Sequence, residues 1–293
     1  MEKTLTIGMA TYDDFDGVYF SIQALRMYHE IVNTDKVEII VVDNNPTGQH
    51  AQPVKDLVTN WVPNGKYIPF TDKTSTASRN EIFANSTAKY CISMDCHVLF
   101  FKDAITNLIE YYDTNPDCKN IVHGPLIYDN LVSPSTHFKP TWGGDMYGQW
   151  ATDEESLRRN EPFEIPMQGL GVFSCVTKNW RGFNDLFRGF GGEEGYIHEK
   201  FRRAGGKAIC LPSFKWLHRF SRPEGVKYPL ILEDRIWNYF VGWLEITQDP
   251  EHQMIKDIYN NFKNRIPEYS LNDIYHKAVQ STIKQGDLHV QSR

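Results

Sequence analysis

Short apolar runs alternate with amphipathic segments along the first hundred residues, and this alternation limits the fold more than any other feature of the sequence. Apolar runs of strand length occupy residues 5–10, 37–42, 66–70 and 90–94. Segments with the apolar spacing of half-buried helices lie between them, over residues 18–30, 52–61 and from residue 75 onward. This βαβαβ order predicts an α/β fold with a mostly parallel sheet flanked by helices.

Polar side chains cluster directly after three of these strands. The clusters are Thr11-Tyr12-Asp13, Asp43-Asn44-Asn45 and Asp95-Cys96-His97. Parallel α/β sheets bind ligands beyond the carboxyl ends of their strands, so the clusters predict a ligand site at one edge of the sheet. No Gly-x-Gly-x-x-Gly follows the first strand, and the sequence contains no Walker loop. A dinucleotide-binding motif and a P-loop are therefore excluded.

The second half of the chain has a weaker pattern. Residues 121–164 are rich in proline, glycine and aromatic residues, which predicts loops around the open edge of the sheet. Residues 169–173 predict a return strand, and residues 193–203 predict a helix after a Gly-Gly pair. The helices predicted beyond residue 229 form a C-terminal helical appendage, over residues 231–244, 254–262 and 271–283.

Composition excludes several classes of protein. With 41% hydrophobic and 23% charged residues, the chain is not disordered, collagen-like or a membrane bundle. Its five cysteines are an odd number without a Cys-x-x-Cys pair, which speaks against a disulfide framework or a zinc ribbon. Only six mostly apolar residues follow the N-terminal Met-Glu-Lys-Thr, too few for a signal peptide or a membrane span. We therefore expect a cytoplasmic protein.

Asp95 and His97 are candidate metal ligands. In an extended strand residues i and i+2 point to the same side, so both can reach one ion. The same spacing recurs in Asp287-Leu288-His289, where no strand precedes it, so the strand context distinguishes the first pair. His218 is a further candidate, with a hydrogen-bonded structural histidine as the alternative. Carboxylate and imidazole ligands together favour Mn²⁺ or a similar ion over Ca²⁺.

Two further groups carry chemistry or structure. Glu193 and Glu194 lie at the start of a predicted helix, where carboxylates either stabilise the helix dipole or act as a general base and a partner of sugar hydroxyls. Arg79 lies inside a predicted helix, where it is either an ordinary surface arginine or a ligand-binding residue.

A basic segment, residues 200–227, holds eight basic residues and one acidic residue, Glu224, in a chain of net charge −6. Aromatic residues are interleaved with the charges. A solvated helix face accounts for Arg202 and Arg203. The cluster around Arg219 and Arg222 favours an anionic partner, either a diphosphate or a nucleic-acid backbone.

These clusters, in this order, resemble glycosyltransferases of the GT-A fold. The resemblance is to family 2 and to the polypeptide N-acetylgalactosaminyltransferase type, whose metal motif is Asp-x-His rather than Asp-x-Asp. It extends over residues 5–222. The segments that carry it are Val41-Val42-Asp43-Asn44-Asn45, Ala77-Ser78-Arg79-Asn80, Met94-Asp95-Cys96-His97 and Gly191-Gly192-Glu193-Glu194, followed by His218.

The resemblance implies a role for each cluster. Asp95, His97 and His218 would ligate the divalent ion, Mn²⁺ or Mg²⁺, that bridges the diphosphate of a UDP-sugar. Glu193 or Glu194 would face the sugar or the acceptor. The remaining donor-binding residues would be Thr11, Tyr12 and Asp43 at the base and ribose, Arg79 near the phosphates, Gly169 and Gly171 at the sugar, and Arg219 and Arg222 at the leaving diphosphate.

The same resemblance divides the chain. Residues 1–228 would form the GT-A domain, with a nucleotide-binding half over 1–100 and an acceptor and sugar half over 101–228, and residues 229–293 the helical appendage. Two departures from the pattern concern the catalytic motif. Phe190-Gly191 replaces the usual tryptophan before Gly-Gly-Glu, and Glu194 stands where related motifs carry Asp or Asn.

The sequence predicts a metal-dependent glycosyltransferase that moves a sugar from a UDP-sugar to a hydroxyl. The acceptor is open between a glycan, a protein side chain and a hydroxymethylated DNA base reached through the basic segment. Whether the reaction inverts or retains the anomeric centre is open too, as is whether the C-terminal helices cover the acceptor or pair two subunits. The alternatives are a metal-dependent nucleotidyltransferase acting on a sugar phosphate, and a nucleotide-sugar binding module without turnover.

Overall fold

The computed structural model describes residues 3–73, 75–223 and 225–290, with side chains as far as Thr282. The sequence motif Asp287-Leu288-His289 lies outside the described side chains. The strands are β1 (Lys3–Thr11), β2 (Val37–Asp43), β3 (Gly65–Pro69), β4 (Ala88–Asp95), β5 (Val98–Phe100), β6 (Ile121–His123), β7 (Leu126–Ile127), β8 (Pro134–Ser135), β9 (His137–Gly143), β10 (Met146–Ala151), β11 (Phe163–Glu164), β12 (Val172–Val176), β13 (Ala208–Cys210) and β14 (Trp216–His218). The helices are α1 (Phe15–Tyr28), α2 (Ala51–Trp61), α3 (Asn80–Ala84), α4 (Ala104–Thr114), α5 (Glu154–Arg159), α6 (Glu194–Arg203), α7 (Leu232–Thr247), α8 (Gln253–Phe262) and α9 (Glu268–Val290).

Eight of the described strands form one mixed sheet in the order β11-β13-β6-β12-β4-β1-β2-β3. Strand β1 pairs in parallel with β2 and β4, and its register places Thr11 opposite Asp43 and Ala10 opposite Asp95. The carboxyl ends of these three strands therefore meet at one edge, as the sequence predicts. The α/β fold with its flanking helices and C-terminal helices is confirmed.

The sheet is buried on both faces because its strands alternate between two hydrophobic clusters. In β2, Ile39 and Val41 pack with α1, α2 and α4, whereas Ile40 and Val42 pack with α3, α6 and α7. This two-residue alternation in a strand that is apolar on both faces is typical of parallel sheets covered by helices.

The prediction of loops over residues 121–164 is wrong in part. Strand β6 lies inside the central sheet, where Ser174 of β12 faces Val122, and β9 and β10 form an antiparallel hairpin. Strands of two or three residues, such as β6, β7 and β8, are too short to show a period, so their pairing depends on distant partners. The predicted return strand also begins later than expected, since β12 starts at Val172 and not at Gly169.

A second sheet of the described chain, in the order β5-β14-β7-β8, lies beside the functional edge. Strand β14 runs antiparallel to β5 and places His218 opposite Val98. This pairing brings the end of β14 next to the Asp95-Cys96-His97 turn.

The C-terminal helices complete the second hydrophobic cluster. Helix α7 contributes a run of buried side chains that includes Ile236, Trp237 and Phe240, and Phe262 of α8 contacts Trp142 of the hairpin. Helix α7 is therefore part of the hydrophobic core. None of the described helices combines the length and the apolarity that crossing a membrane requires.

Candidate active site

Two histidines converge on the carboxylate of Asp95 at the end of β4. His97 follows two residues later, and the pairing of β14 with β5 brings His218 to the same place. The Nε2 atoms of His218 and His97 lie 3.2 and 4.0 Å from Oδ2 of Asp95. Strand pairing thus joins three candidate ligands, although 123 residues separate Asp95 from His218.

The chemistry of these side chains fits a divalent cation. One carboxylate oxygen and two imidazole nitrogens lie within 4.8 Å of one another. Mixed oxygen and nitrogen ligands suit Mn²⁺ and similar ions, whereas Ca²⁺ takes oxygen ligands. Burial raises the pKa of Asp95, but the charge of Arg79 and the hydrogen bond from His218 hold it well below its usual range. The carboxylate is therefore ionised and able to bind a cation.

Asp14, which no sequence motif singles out, lies at the opposite edge of the His97 ring. Its Oδ2 is 3.2 Å from Nδ1 of His97, and its Oδ1 accepts a 2.9 Å hydrogen bond from the N–H of Gly17 at the start of α1. Burial raises the pKa of Asp14, but the hydrogen bonds from His97 and Gly17 lower it to about 2. An ionised Asp14 that accepts the Nδ1 proton leaves Nε2 free for a cation. Its only signal in the sequence is the acidic turn after β1.

Arg79 is buried rather than on the surface, and it connects the Asp95 cluster to Glu193. Its Nη2 donates a 2.7 Å hydrogen bond to Oδ1 of Asp95, and its Nη1 lies 3.6 Å from Oε1 of Glu193. A 3-10 turn, Thr76–Arg79, and α3 hold the guanidinium in place. Arg79 therefore positions two carboxylates at once.

Glu193 and Glu194 enter α6 after two glycines with φ of +97° and +92°, values that favour glycine. Glu193 is the N-cap residue, but its side chain makes no capping hydrogen bond and accepts one of 3.0 Å from Oγ1 of Thr76 instead. Burial and the charge of Glu193 raise the pKa of Glu194 to about 8. A carboxylate that gives up its proton near neutral pH has the affinity for protons that a general base needs.

A cavity of about 420 Å³ opens at this edge of the sheet. Its volume lies in the range of small-molecule sites. The residues after β14 that line it are Arg219, Arg222, Pro223, Gly225, Lys227, Tyr228, Pro229 and Ile231, and α7 contributes Asp234. Seven of the residues predicted from the sequence line it: Thr11, Tyr12, Arg79, Asp95, His97, Arg219 and Arg222.

The model of glycosyl transferase family 2 matches residues 6–180, more than half of the chain. The chain belongs to glycosyl transferase family 2. The matched segment includes β1 to β4, the Asp95-Cys96-His97 turn and Arg79, so the family covers the edge of the sheet where the cavity lies. No curated protein matches the chain by sequence.

Solved glycosyltransferase structures share the fold at low sequence identity. A structure of GalNAc-T7 with UDP, GalNAc and Mn²⁺ aligns with 95% of this chain and 57% of its own, at 12% identity and a TM-score of 0.64. The mannosyltransferase PcManGT of Pyrobaculum calidifontis, with GDP-Man and Mn²⁺, aligns with 97% of this chain and 76% of its own. The sequence identity is 13% and the TM-score is 0.56. S. aureus TarS 1-349 with UDP-GlcNAc aligns with 96% of this chain and 81% of its own, at 13% sequence identity and a TM-score of 0.56. The family 2 chain thus has the GT-A fold, and it spans little more than half of the GalNAc-T7 chain.

Some residues predicted for donor binding do not line the described cavity of this family 2 chain. Asp43 is buried, and its carboxylate accepts hydrogen bonds from the N–H of Asn45 and the hydroxyl of Tyr67, at 2.9 and 2.7 Å. Gly169 packs against aromatic rings of the core. Gly171 lies behind the metal candidates, where its carbonyl accepts a 2.8 Å hydrogen bond from the N–H of Asp95. Glu193 and Glu194 lie behind Arg79, outside the lining.

The basic segment of the transferase divides into two groups. Lys200 and Lys207 form ion pairs with Glu245 and Glu164, both at 2.9 Å. Arg202 and Arg203 both pair with Glu199. In contrast, Arg219 and Arg222 line the cavity, as does Lys227. Arg219 and Arg222 therefore lie where an anion in the cavity can reach them, whereas the four cations of the first group pair with three carboxylates of the protein. Glu224 lies outside the described residues.

A buried histidine pair below Glu194 also has no counterpart in the sequence analysis. The Nε2 atoms of His123 and His198 lie 2.9 Å apart, and Nδ1 of His198 bonds to the carbonyl oxygen of Glu194 one turn earlier in α6. Burial lowers the pKa of His123 to about 4, and burial together with the neighbouring His123 lowers that of His198 well below its usual range. The pair joins β6 to α6 and so fixes the helix that carries Glu194.

Proposed function

We propose that this family 2 glycosyltransferase moves a sugar from a UDP-sugar to an acceptor hydroxyl, with a divalent cation, Mn²⁺ or Mg²⁺, held by Asp95, His97 and His218. The observation that carries the proposal is the convergence of one carboxylate and two Nε2 atoms beside a cavity that Asp95, His97 and two arginines line. The similar structures hold UDP with Mn²⁺, GDP-Man with Mn²⁺, and UDP-GlcNAc. Family membership favours this reaction over nucleotidyl transfer.

Loss of UDP leaves a diphosphate whose negative charge must be stabilised. A bound cation would act there as a Lewis acid. Arg219 and Arg222 both line the cavity, and their guanidinium groups match phosphate oxygens in geometry and charge. Thr11 and Tyr12, at the end of β1, are our candidates for the base and ribose. Asp43 would act through Asn44, its neighbour in the lining.

Glu194 is our candidate for the base that accepts the proton of the acceptor hydroxyl, if the reaction inverts the anomeric centre. Its Oε2 is buried without a hydrogen-bond partner among the described residues, and its raised pKa gives it the basicity that this step needs. If the reaction retains the configuration, the same carboxylate would orient the sugar. Glu193, fixed by Thr76 and Arg79, would position Glu194.

The test is release of UDP from a panel of UDP-sugars, with and without Mn²⁺ and without an acceptor. We expect metal-dependent release from one donor, because a bound water can replace the acceptor hydroxyl. Asp95→Ala should abolish Mn²⁺-dependent UDP binding and leave the circular dichroism spectrum unchanged. Asp117→Ala, which removes an exposed carboxylate in the turn after α4, is the matched control. If the wild-type protein shows no UDP release and also no UDP binding by calorimetry, the proposal is refuted.

A further inference from the structure

Three possible metal ligands lie on the far side of the His97 ring from Asp95. They are Oδ2 of Asp14, Sγ of Cys96 and Nδ1 of His97. The sulfur is 3.6 Å from the carboxylate oxygen and 3.6 Å from the nitrogen, and the nitrogen is 3.2 Å from the oxygen. Cys96 is the middle residue of Asp95-Cys96-His97, and its side chain points away from the Asp95 side of the turn toward Asp14.

These separations match the edges of a tetrahedral zinc site. Zinc binds sulfur at about 2.3 Å, imidazole nitrogen at about 2.0 Å and carboxylate oxygen at about 2.0 Å. At tetrahedral angles, these bond lengths place sulfur about 3.5 Å from either light atom, and nitrogen about 3.3 Å from oxygen. The three ligand atoms therefore stand where one ion can reach all of them without a movement of the backbone.

A buried hydroxyl faces the same place. Oγ1 of Thr11 is buried beside the thiol of Cys96. Thr11, Asp14, Cys96 and His97 all line the cavity, which gives an ion a path of entry.

We propose that Asp14, Cys96 and Nδ1 of His97 form a second cation site, selective for Zn²⁺ and similar thiophilic ions. Binding forms bonds from zinc to Sγ, Nδ1 and Oδ2. The thiol proton leaves to solvent, and the Nδ1 proton moves to Nε2. One carboxylate and one thiolate then balance the charge of the dication. Because Nε2 carries the proton, His97 cannot at the same time ligate the cation of the proposed transfer reaction.

Arg222 competes for this site. Its Nη1 lies 3.3 Å from Nδ1 of His97 and 3.8 Å from Oδ2 of Asp14. A zinc ion must displace this guanidinium. Replacement of Arg222 by leucine should therefore tighten zinc binding, whereas loss of a ligand should weaken it.

The test uses Co²⁺ as a spectroscopic probe on the full-length, metal-free protein without a donor. We expect one equivalent of Co²⁺ to give a thiolate-to-metal charge-transfer band with tetrahedral visible bands, and Zn²⁺ to displace it. Cys96→Ser should remove the charge-transfer band and weaken Zn²⁺ binding at least about tenfold. Cys118→Ser, at another buried free cysteine, should change neither. Asp14→Asn, which keeps the cysteine, should weaken Zn²⁺ binding as well.

No charge-transfer band in the wild-type protein, or an unchanged band in Cys96→Ser, would overturn the site. The conclusion that zinc excludes the catalytic cation rests on the proposed function. It is tested separately, by inhibition of UDP release. Micromolar Zn²⁺ should inhibit Mn²⁺-dependent UDP release by the wild type, and should inhibit Cys96→Ser at least about tenfold less. A cobalt spectrum in a protein that releases no UDP would support the site and contradict the proposed function.

Discussion

The two nitrogens of His97 face two different carboxylates, and the protonation of one nitrogen decides what the other can bind. Nδ1 lies 3.2 Å from Asp14, and Nε2 points toward Asp95. A histidine ligand usually donates its second N–H to a carboxylate or carbonyl, which fixes its tautomer. Asp14 is thus a positioning residue for His97, although it also caps α1.

We expect Asp14→Asn to weaken Mn²⁺ binding by about 10- to 100-fold while the protein stays folded. The asparagine oxygen can still accept the N–H of Gly17, but its amide group would then donate to Nδ1 of His97. The ring would carry its proton on Nε2 and could not bind the cation. Isothermal titration calorimetry measures the affinity, and Asp117→Asn, an exposed carboxylate outside the cavity lining, is the control. Equal Mn²⁺ affinities of Asp14→Asn and wild type would contradict the role.

The raised pKa of Glu194 leads to a prediction about how the stability of the protein depends on pH. Its pKa is about 8 in the folded protein and near 4.5 in an unfolded chain. Between these values the folded state holds the proton that the unfolded state releases, so this group stabilises the protein at acidic pH and loses that contribution as the pH rises to about 8. The glutamine of Glu194→Gln cannot ionise. The melting temperature of this variant minus that of the wild type should therefore increase by about 2 °C between pH 5 and pH 8.

The same carboxylate should set the pH dependence of the reaction. If Glu194 is the base, kcat/KM of the wild type should rise with pH to an inflection near 8. Glu193→Gln removes a neighbouring negative charge and should move that inflection to lower pH. A flat profile, or full turnover in Glu194→Gln, would show that another group accepts the proton.

At the scale of elements, α7 holds the loop that carries the Gly-Gly-Glu-Glu motif. The Nδ2 group of Asn238 donates to the carbonyl oxygens of Arg188 and Gly191, at 2.6 and 2.8 Å, and its Oδ1 accepts a 2.7 Å hydrogen bond from the N–H of Arg188. The side chain is fully buried. One amide thus replaces the backbone partners that an irregular loop lacks.

Asn238→Ala should therefore lower both stability and turnover. It removes the partner of three backbone groups, one of them in a fully buried hydrogen bond, and we expect the free energy of unfolding to fall by about 2 kcal/mol. Because the loop positions Glu193 and Glu194, kcat should fall more than the affinity for the donor. Urea denaturation and steady-state kinetics measure the two effects. Asn260→Ala, on the exposed face of α8, should change neither, and wild-type kcat in Asn238→Ala would contradict the link.

The sequence predicts those elements whose signal is local. Strands β1, β2 and β4 are long, apolar on both faces and followed by polar turns, so the sheet and its functional edge could be inferred. The sequence also indicated His218, but not why it reaches Asp95, because that depends on the pairing of β14 with β5. Asp14 and the His123–His198 pair escaped prediction, since their contacts join residues 83 and 75 positions apart.

At the scale of the whole molecule, the two faces of the sheet are covered by different parts of the chain. Helices α1, α2 and α4, from the first half, cover one face, whereas α6 to α9 cover most of the other. The second cluster joins Ile40 and Val42 of β2 to Phe240 of α7. The boundary predicted at residue 228 therefore cuts through a continuous hydrophobic core.

We accordingly expect a chain that ends at residue 228 not to fold. Removal of α7 would expose the apolar residues of the sheet face, and would leave the Gly-Gly-Glu-Glu loop without Asn238. Such a protein should elute as aggregates in size-exclusion chromatography and show no cooperative thermal transition. A chain that ends at residue 282 keeps α7, α8 and the buried Leu271 and Ala278 of α9, so it should melt cooperatively. A monomeric, cooperatively melting chain of residues 1–228 would contradict this view and establish the C-terminal helices as a separable appendage.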